Sequence, residues 1–159
     1  EFVLSNFSPE EYRVHHAVVY TNDVNLSLRS RIIQQYEGYE SYTIIARSAL
    51  VTSSSKIAGG CALMEGAIVN GAILAQNSVI NTKAVIEHGC ILGNNVFVGP
   101  GAIVCGDTCI GDNVLVGAGV IIRDGIEITE NVTIGMGSVV VRSIVEPGVY
   151  LGNPCRKIR

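Results

Sequence analysis

The sequence predicts a mainly β fold, a parallel β-helix built from six-residue repeats. Every sixth position from Ile80 to Val140 carries a branched aliphatic residue, and the residue four positions after each is small or β-branched. Glycine, asparagine and aspartate lie between the two sets, and these residues accept tight turns at little cost. Short strands and tight corners at this period indicate a hexapeptide-repeat solenoid. The aliphatic series is Ile80, Ile86, Leu92, Val98, Val104, Ile110, Val116, Ile122, Ile128, Ile134 and Val140.

The composition suits such a solenoid. The 159 residues include 18 glycines, are 48% apolar and only 16% charged, and are enough for one domain or one domain plus part of another. A net charge of −3, without a basic run before the last few residues, predicts no nucleic-acid partner. Glycines and polar corners interrupt every apolar run, so no membrane span is expected. A chain that begins Glu1-Phe2, without methionine or a visible signal peptide, is consistent with a fragment.

The five cysteines form no CxxC pair. Cys61 and Cys90 occupy the small inward position of the repeat, where a thiol behaves as a modest hydrophobe. We therefore expect reduced packing cysteines in a cytoplasmic protein. A nucleophilic role for Cys105 or Cys109 stays open, although neither has a partner nearby in the sequence.

Residues 1–43 do not repeat and predict a small partial α/β unit. Ser8–Glu11 has a helix-start pattern, with a capping serine, a proline and an acid three residues on. His15–Tyr20 predicts a short buried strand, and a helix is expected from Asn22 to about Glu37. The two adjacent histidines of that strand would point to opposite faces, which argues against shared metal coordination.

The six-residue frame begins at Ile45 and slips by one residue before Ile80. We assign the slip to one five-residue rung from Leu63 to Ala67, with Ile68 starting the later frame. At 18 residues per triangular coil, the repeats predict between five and six coils. The predicted β-helix domain spans residues 44–145, and residues 146–159 form a C-terminal tail with a basic end.

Residues 18 apart should stack in adjacent coils, roughly 4.8 Å apart. His88 is the one histidine between Ile45 and Ile144, and Gly106 is the residue expected directly above it. A neutral imidazole can take a proton from a hydroxyl or an amine, and a nearby exposed N–H can stabilise an oxyanion. A solvated corner histidine is the alternative. The flat apolar-rich faces of the prism predict self-association.

The segment Asn81–Gly93 resembles the active-site segment of the left-handed β-helix acyltransferases, in particular the sialic acid O-acetyltransferase and bacillosamine N-acetyltransferase group. The ending Gly152–Arg156 resembles the Gly-Asn-Pro-Ala-Lys/Arg close of that group, and residues 1–43 resemble the latter part of its Rossmann-like sugar-nucleotide domain. The resemblance implies left-handed coils, an exception to the usual crossover handedness. It also implies a homotrimer with acetyl-CoA in the cleft between subunits, and a sugar or sugar nucleotide as acceptor.

The same resemblance assigns residues to roles. His88 would be the general base, with the Gly106 backbone amide facing the thioester oxygen. An acid commonly follows the histidine in this family, but here that residue is Gly89, and Glu87 on the other side is the candidate substitute. The residues assigned to acetyl-CoA are Phe97, Gly106, Gly117, Ala118, Gly135 and Met136. Phe97 stands where the family has a second histidine, and Ala118 and Met136 are 18 residues apart on one corner.

Two other functions stay open. A γ-type carbonic anhydrase shares the β-helix, but it needs three histidines around zinc, and the repeat region has only His88. The other is a non-catalytic trimeric scaffold, to which Gly89 and Phe97 lend weight because they depart from the family pattern. The leading prediction is an acetyl-CoA-dependent sugar N- or O-acetyltransferase, with no bound metal.

Overall fold

The computed structural model describes residues 6–16 and 27–159. In the N-terminal part, strand β1 (Arg13–Val14) pairs in parallel with strand β2 (Glu40–Ser41), and helix α1 (Ser27–Gln34) lies between them in sequence. The helix predicted from Asn22 to about Glu37 is present over Ser27–Gln34, and the part of that prediction before Ser27 falls within residues 17–26, which lie outside the described residues. The helix start predicted at Ser8–Glu11 is wrong, since the N–H groups of Glu11 and Tyr12 both donate to the Ser8 carbonyl in a single turn.

A strand is present at Arg13–Val14 and does not include His15 or His16, whereas residues 17–20 of the predicted strand lie outside the described residues. Tyr42 continues the pairing, because its N–H donates to the Val14 carbonyl. His15 Nδ1 lies 2.9 Å from the Tyr42 carbonyl, to which it donates, and His16 is buried with its ring 5.7 Å from that of Tyr36. The two histidines thus serve separate structural contacts.

From Ile44 onward the chain winds into a triangular prism whose three faces are parallel sheets. Face 1 contains β3 (Ile44–Ile45), β6 (Ala62–Leu63), β9 (Val79–Ile80), β12 (Phe97–Val98), β15 (Leu115–Val116), β18 (Val132–Ile134) and β20 (Gly148–Leu151), closed by the antiparallel β21 (Arg156–Lys157). Face 2 contains β4 (Leu50–Val51), β7 (Ile68–Val69), β10 (Val85–Ile86), β13 (Ile103–Val104), β16 (Ile121–Ile122) and β19 (Val139–Val140). Face 3 contains β5 (Lys56–Ile57), β8 (Ile73–Leu74), β11 (Ile91–Leu92), β14 (Cys109–Ile110) and β17 (Glu127–Ile128).

The periodic aliphatic residues fill the prism, as the sequence predicts. All eleven from Ile80 to Val140 are at most 3% exposed, and they form one continuous core with the small residues that follow them. In the two-residue strands of the prism the first residue points outward instead, and Ile91, Ile103 and Ile121, for example, are 48%, 38% and 43% exposed. The fold class is therefore confirmed: the chain is a hexapeptide-repeat β-helix preceded by a small α/β segment.

The predicted position of the five-residue rung is wrong by one rung. The inward residue of β7 is Val69, which is fully buried, whereas Ile68 is only partly buried. The register changes accordingly from 18 residues at Leu50↔Ile68 to 17 at Ile68↔Val85. The short rung therefore runs from Val69 to Ile73. The sequence is compatible with either position of this rung, because residues 68 and 69 are both aliphatic.

The C-terminal residues continue the prism rather than leaving it. Strand β20 pairs with β18, and the Val132↔Gly148 pair is two residues short of a full coil. The chain then reverses, so that Tyr150 pairs with Lys157 across the end of face 1. This hairpin covers one end of the sheet, which would otherwise present an unpaired strand edge.

Candidate active site

The three corners of the prism carry the polar residues. Corner 1/2, between faces 1 and 2, includes residues 81–84, 99–102, 117–120 and 135–138. Corner 2/3 includes residues 70–72, 87–90, 105–108 and 123–126, and corner 3/1 includes residues 75–78, 93–96, 111–114 and 129–131. Because the strands on either side stack in register, equivalent corner residues form columns along the prism.

His88 lies on corner 2/3 with its imidazole resting on Gly106. A Cβ atom at position 106 would lie 2.6 Å from Cε1, 2.9 Å from Nε2 and 3.1 Å from Nδ1 of His88, so only glycine leaves room for the ring. The Asp107 N–H donates to the His88 carbonyl at 2.8 Å and fixes the two coils in register. On the other side lies Gly71, where an added Cβ would be 4.0 Å from the Cα and Cβ of His88. His88 itself is exposed and open to a substrate.

The N–H group of Gly106 has no hydrogen-bond acceptor within the part of the chain that the structure describes. Its neighbours are engaged: the Cys105 N–H donates to the Ile122 carbonyl, and the Gly106 carbonyl accepts from Gly125. Gly106 is nonetheless buried, because the His88 ring covers it. A buried backbone donor without an acceptor is uncommon, and this one lies beside a group that can act as a base.

Glu87 is half-buried next to His88, but its carboxylate has other partners. Oε2 accepts a hydrogen bond of 3.0 Å from Asn70 Nδ2 and one of 3.4 Å from the His88 backbone N–H. Glu87 thus holds the backbone of the corner. No hydrogen bond joins it to the imidazole.

Cys105 stacks on Glu87 in the next coil and is partly buried. Burial raises the pKa of the Cys105 thiol, and the nearby carboxylates of Asp124 and Glu87 raise it further. The thiol therefore stays protonated at neutral pH and is a poor nucleophile. Cys109 is exposed on the outer side of β14.

The residues assigned to acetyl-CoA lie mainly on corner 1/2. Ala118 and Met136 are exposed and stacked, and a Cβ at Gly117 would lie 2.6 Å from the Met136 nitrogen. Gly135 stacks above Gly117 and is half-buried, with a Leu151 methyl in the space that its Cβ would take. The column formed by Gly101, Gly119 and Gly137 has positive φ angles and open space where side chains would point. This corner is therefore a strip of accessible backbone with few side chains.

Corner 1/2 and corner 2/3 lie at opposite edges of face 2, so one chain does not bring Ala118 next to His88. Phe97 lies at neither of these corners but on the outer side of face 1. It is 8% exposed and packs in a second apolar cluster with Ala62, Val79 and Leu115. The structure thus groups His88, Glu87 and Gly106, and separates them from the other assigned residues. The role of Phe97 stays a prediction.

Metal-ligand groups, membrane-spanning helices and the ion pairs of the basic tail also bear on the kind of site this is. Among the residues that the structure describes, no three histidine, cysteine, aspartate or glutamate side chains are grouped as metal ligands. No helix within the described ranges is long and apolar enough to cross a membrane. In the basic tail, Lys157 forms an exposed ion pair of 2.8 Å with Glu146, and this pairing lowers the pKa of the Glu146 carboxyl.

Comparisons with known proteins agree with this description. Residues 107–142 match the family profile "Bacterial transferase hexapeptide (six repeats)". No curated protein sequence is significantly similar to the chain.

Several solved structures of acetyltransferases are similar to this chain over most of its length. The acetyltransferase domain of PglB from Neisseria gonorrhoeae FA1090 is similar with a TM-score of 0.90 and 30% identity, over 99% of this chain and 76% of that chain. The same domain in complex with acetyl coenzyme A gives a TM-score of 0.89 and 29% identity over the same shares. PerB from Caulobacter crescentus, in complex with CoA and GDP-perosamine, gives 0.81 and 27%, over 86% of this chain and 68% of that chain.

The repeat, the prism and the histidine corner define a hexapeptide-repeat transferase. With the similarity to PglB, the chain belongs to the left-handed β-helix acyltransferases, in the group of sugar acetyltransferases.

Proposed function

We propose that this protein transfers the acetyl group of acetyl-CoA to an amine or hydroxyl of a sugar or sugar nucleotide, with His88 as general base. The observation that carries the proposal is that the imidazole of His88 lies against Gly106, a residue whose backbone N–H has no acceptor among the described residues. A proton acceptor and an oxyanion donor thus lie at one exposed corner. The complexes of similar proteins with acetyl coenzyme A, and with CoA and GDP-perosamine, support the two substrate classes.

The two groups divide the chemistry between them. The neutral imidazole takes the proton from the acceptor N–H or O–H as that atom attacks the thioester carbonyl. The carbonyl oxygen gains negative charge and accepts the Gly106 N–H, whose position is fixed in advance by the stacked coils. When the carbon–sulfur bond breaks, the imidazolium can return its proton to the CoA thiolate. Glu87 assists by holding the His88 backbone.

We further propose that acetyl-CoA lies against corner 1/2, along Gly117, Ala118, Gly135 and Met136, and extends to Gly106. Because corner 1/2 and corner 2/3 are separated by face 2 in one chain, this arrangement needs a second chain. A homotrimer packed on face 2 would bring corner 1/2 of one chain opposite corner 2/3 of its neighbour. Phe97 would then act indirectly, by supporting the strand that leads into the Gly99–Gly101 turn.

Residues 1–43 would contribute to holding the acceptor. The parallel pair of β1 and β2 around α1 is consistent with part of an α/β sugar-nucleotide domain. GDP-perosamine, the ligand of PerB, is the first acceptor to test, followed by other nucleotide-linked amino sugars, sialic acids and serine.

The first experiment replaces the base. We expect His88→Ala to lower kcat by at least about a hundredfold, the scale of a general base, while calorimetry shows acetyl-CoA binding retained. Turnover should be followed by the loss of thioester absorbance, because the exposed Cys109 thiol would consume a thiol reagent. An active His88→Ala enzyme would overturn the assignment, and no acetyl-CoA binding by the wild type at millimolar concentration would favour a non-catalytic scaffold.

A further inference from the structure

His88 and Asp107 cross the same interval between two adjacent coils. His88 and Gly89 are neighbours in one coil, and Gly106 and Asp107 are their stacked counterparts in the next. The His88 ring reaches across to lie on Gly106. In return, the Asp107 carboxylate reaches back over Gly89, where Oδ1 occupies the space of an added Cβ and Cγ lies 3.2 Å from it. The two side chains therefore cross between the same two coils in opposite directions, from stacked positions that are one residue apart in the sequence.

The backbone at position 107 makes the aspartate unusual. Its φ angle is 57°, while the equivalent residues in the coils before and after, Gly89 and Gly125, have φ angles of 69° and 63°. This left-handed region favours glycine, and aspartate tolerates it at some cost in free energy. In the column of stacked residues at this position, Asp107 therefore lies between two glycines, Gly89 and Gly125.

The carboxylate of Asp107 is also available. It accepts no hydrogen bond from the residues in the described ranges, whereas Glu87 is engaged by Asn70 and by the backbone of His88. The backbone bond of 2.8 Å from the Asp107 N–H to the His88 carbonyl ties the two residues together. A general base usually needs a third group that orients it and stabilises its protonated form.

We propose that Asp107 is the positioning residue for His88, supplying from the next coil the carboxylate that orients the imidazole and stabilises the imidazolium. The inference rests on the proposed function and adds a residue that sequence order alone would not pair with the histidine. It requires position 89 to be glycine, because any side chain there would displace the carboxylate. The charged residues that share this corner are Glu87, Asp107, Arg123, Asp124 and Arg142.

The central test is Asp107→Asn, which keeps the shape and a residue that tolerates positive φ but removes the charge. We expect kcat to fall at least about tenfold, less than the roughly 10⁴-fold effect of a buried triad aspartate because this corner is exposed. The acidic limb of the pH–rate profile should move to lower pH, since an imidazolium without a nearby carboxylate loses its proton more readily. Asp124→Asn, an exposed aspartate one coil further, is the matched control and should leave both measurements unchanged.

A second pair of variants moves the carboxylate to the other coil. Asp107→Gly should lose activity as Asp107→Asn does, and adding Gly89→Asp to it should restore most of the rate, because the space over position 89 is then vacant. Activity is measured with acetyl-CoA and either GDP-perosamine or whichever acceptor of the panel gives the highest turnover. Thermal unfolding checks that each variant is folded.

Two results would overturn the inference: a wild-type rate and pH profile in Asp107→Asn, or a lower rate with an unshifted profile and no recovery in the double variant. Either result with an inactive His88→Ala enzyme leaves the proposed function standing. An active His88→Ala enzyme refutes the proposed function itself.

Discussion

The glycines of corner 2/3 are required by contact rather than only by backbone angle. Gly106 has no positive φ angle, yet an added Cβ there would meet three atoms of the His88 ring between 2.6 and 3.1 Å. Real Cβ atoms do not approach other atoms so closely, so the ring would have to move. Its room to move is toward solvent, since His88 is exposed.

This gives a prediction for Gly106→Ala. We expect kcat to fall at least about tenfold because the imidazole is displaced from the oxyanion donor, and a displacement of about 1 Å can cost a hundredfold in rate. The unfolding temperature should change little, because the only atoms displaced belong to an exposed side chain. Gly59→Ala is a matched control, since its new Cβ would have only ordinary contacts, the nearest at 3.5 Å from the Ser41 carbonyl. A fully active Gly106→Ala enzyme would show that the contact is irrelevant to the reaction.

At this scale the sequence pointed directly to His88, whereas it pointed to Asp107 only through the 18-residue spacing. His88 is the one histidine of the repeat region, and the 18-residue spacing placed Gly106 above it correctly. The same spacing pairs Gly89 with Asp107, so the signal was present. It was missed because the acid was sought next to the histidine along the chain rather than across the coils.

At the scale of the element, corner 3/1 is organised by a column of four asparagines. Asn77, Asn95, Asn113 and Asn131 are 18 residues apart, and all have φ angles between 56° and 59°. Asn95 Nδ2 donates to Asn113 Oδ1 at 3.2 Å, so neighbouring coils are also joined through side chains. Asparagine suits this position for two reasons. It tolerates the left-handed region of backbone conformation, and its side-chain amide can hydrogen-bond to the asparagine of the next coil.

We therefore expect Asn113→Ala to lower the free energy of unfolding by about 1–2 kcal/mol, mainly because alanine disfavours a positive φ. For a chain of this size that corresponds to a decrease of several degrees in the unfolding temperature. Asn113→Gly separates the two causes, because it relieves the backbone angle but loses the hydrogen bond. Calorimetric melting should rank the proteins as wild type, then glycine, then alanine. An alanine variant as stable as the glycine variant would mean that the backbone angle contributes little.

The elements also show where pattern reading fails. A strict period predicted every inward residue from Ile80 to Val140, because burial inside a narrow prism tolerates only aliphatic side chains there. It misplaced the short rung, because Ile68 and Val69 satisfy either frame. It also predicted a helix at Ser8, where a local capping pattern is satisfied by one turn alone. A short isolated motif, such as the capping pattern at Ser8, therefore predicts secondary structure less reliably than a repeated pattern does.

At the scale of the whole molecule, face 2 has an outer surface of branched aliphatic residues between the two functional corners. Leu50, Ile103 and Ile121 are 64%, 38% and 43% exposed. The complete column along this face is Leu50, Ile68, Val85, Ile103, Ile121 and Val139. A continuous apolar strip of this kind is typical of an interface. It is also the surface that must be covered if Ala118 of one chain is to lie near His88 of another.

Ile103→Glu tests this arrangement at the centre of face 2. Its side chain points outward, so the single chain should stay folded, while a buried, unpaired charge at the interface should prevent assembly. We expect light scattering to give three times the 16.9 kDa chain mass for the wild type and one chain mass for the variant, together with a large loss of acetyl-transfer activity. Ile91→Glu makes the same change on face 3, where the outer side chain is also exposed, and should stay trimeric and active. If Ile91→Glu dissociates while Ile103→Glu does not, face 3 is the interface, and the clefts must be built from other corners than those proposed.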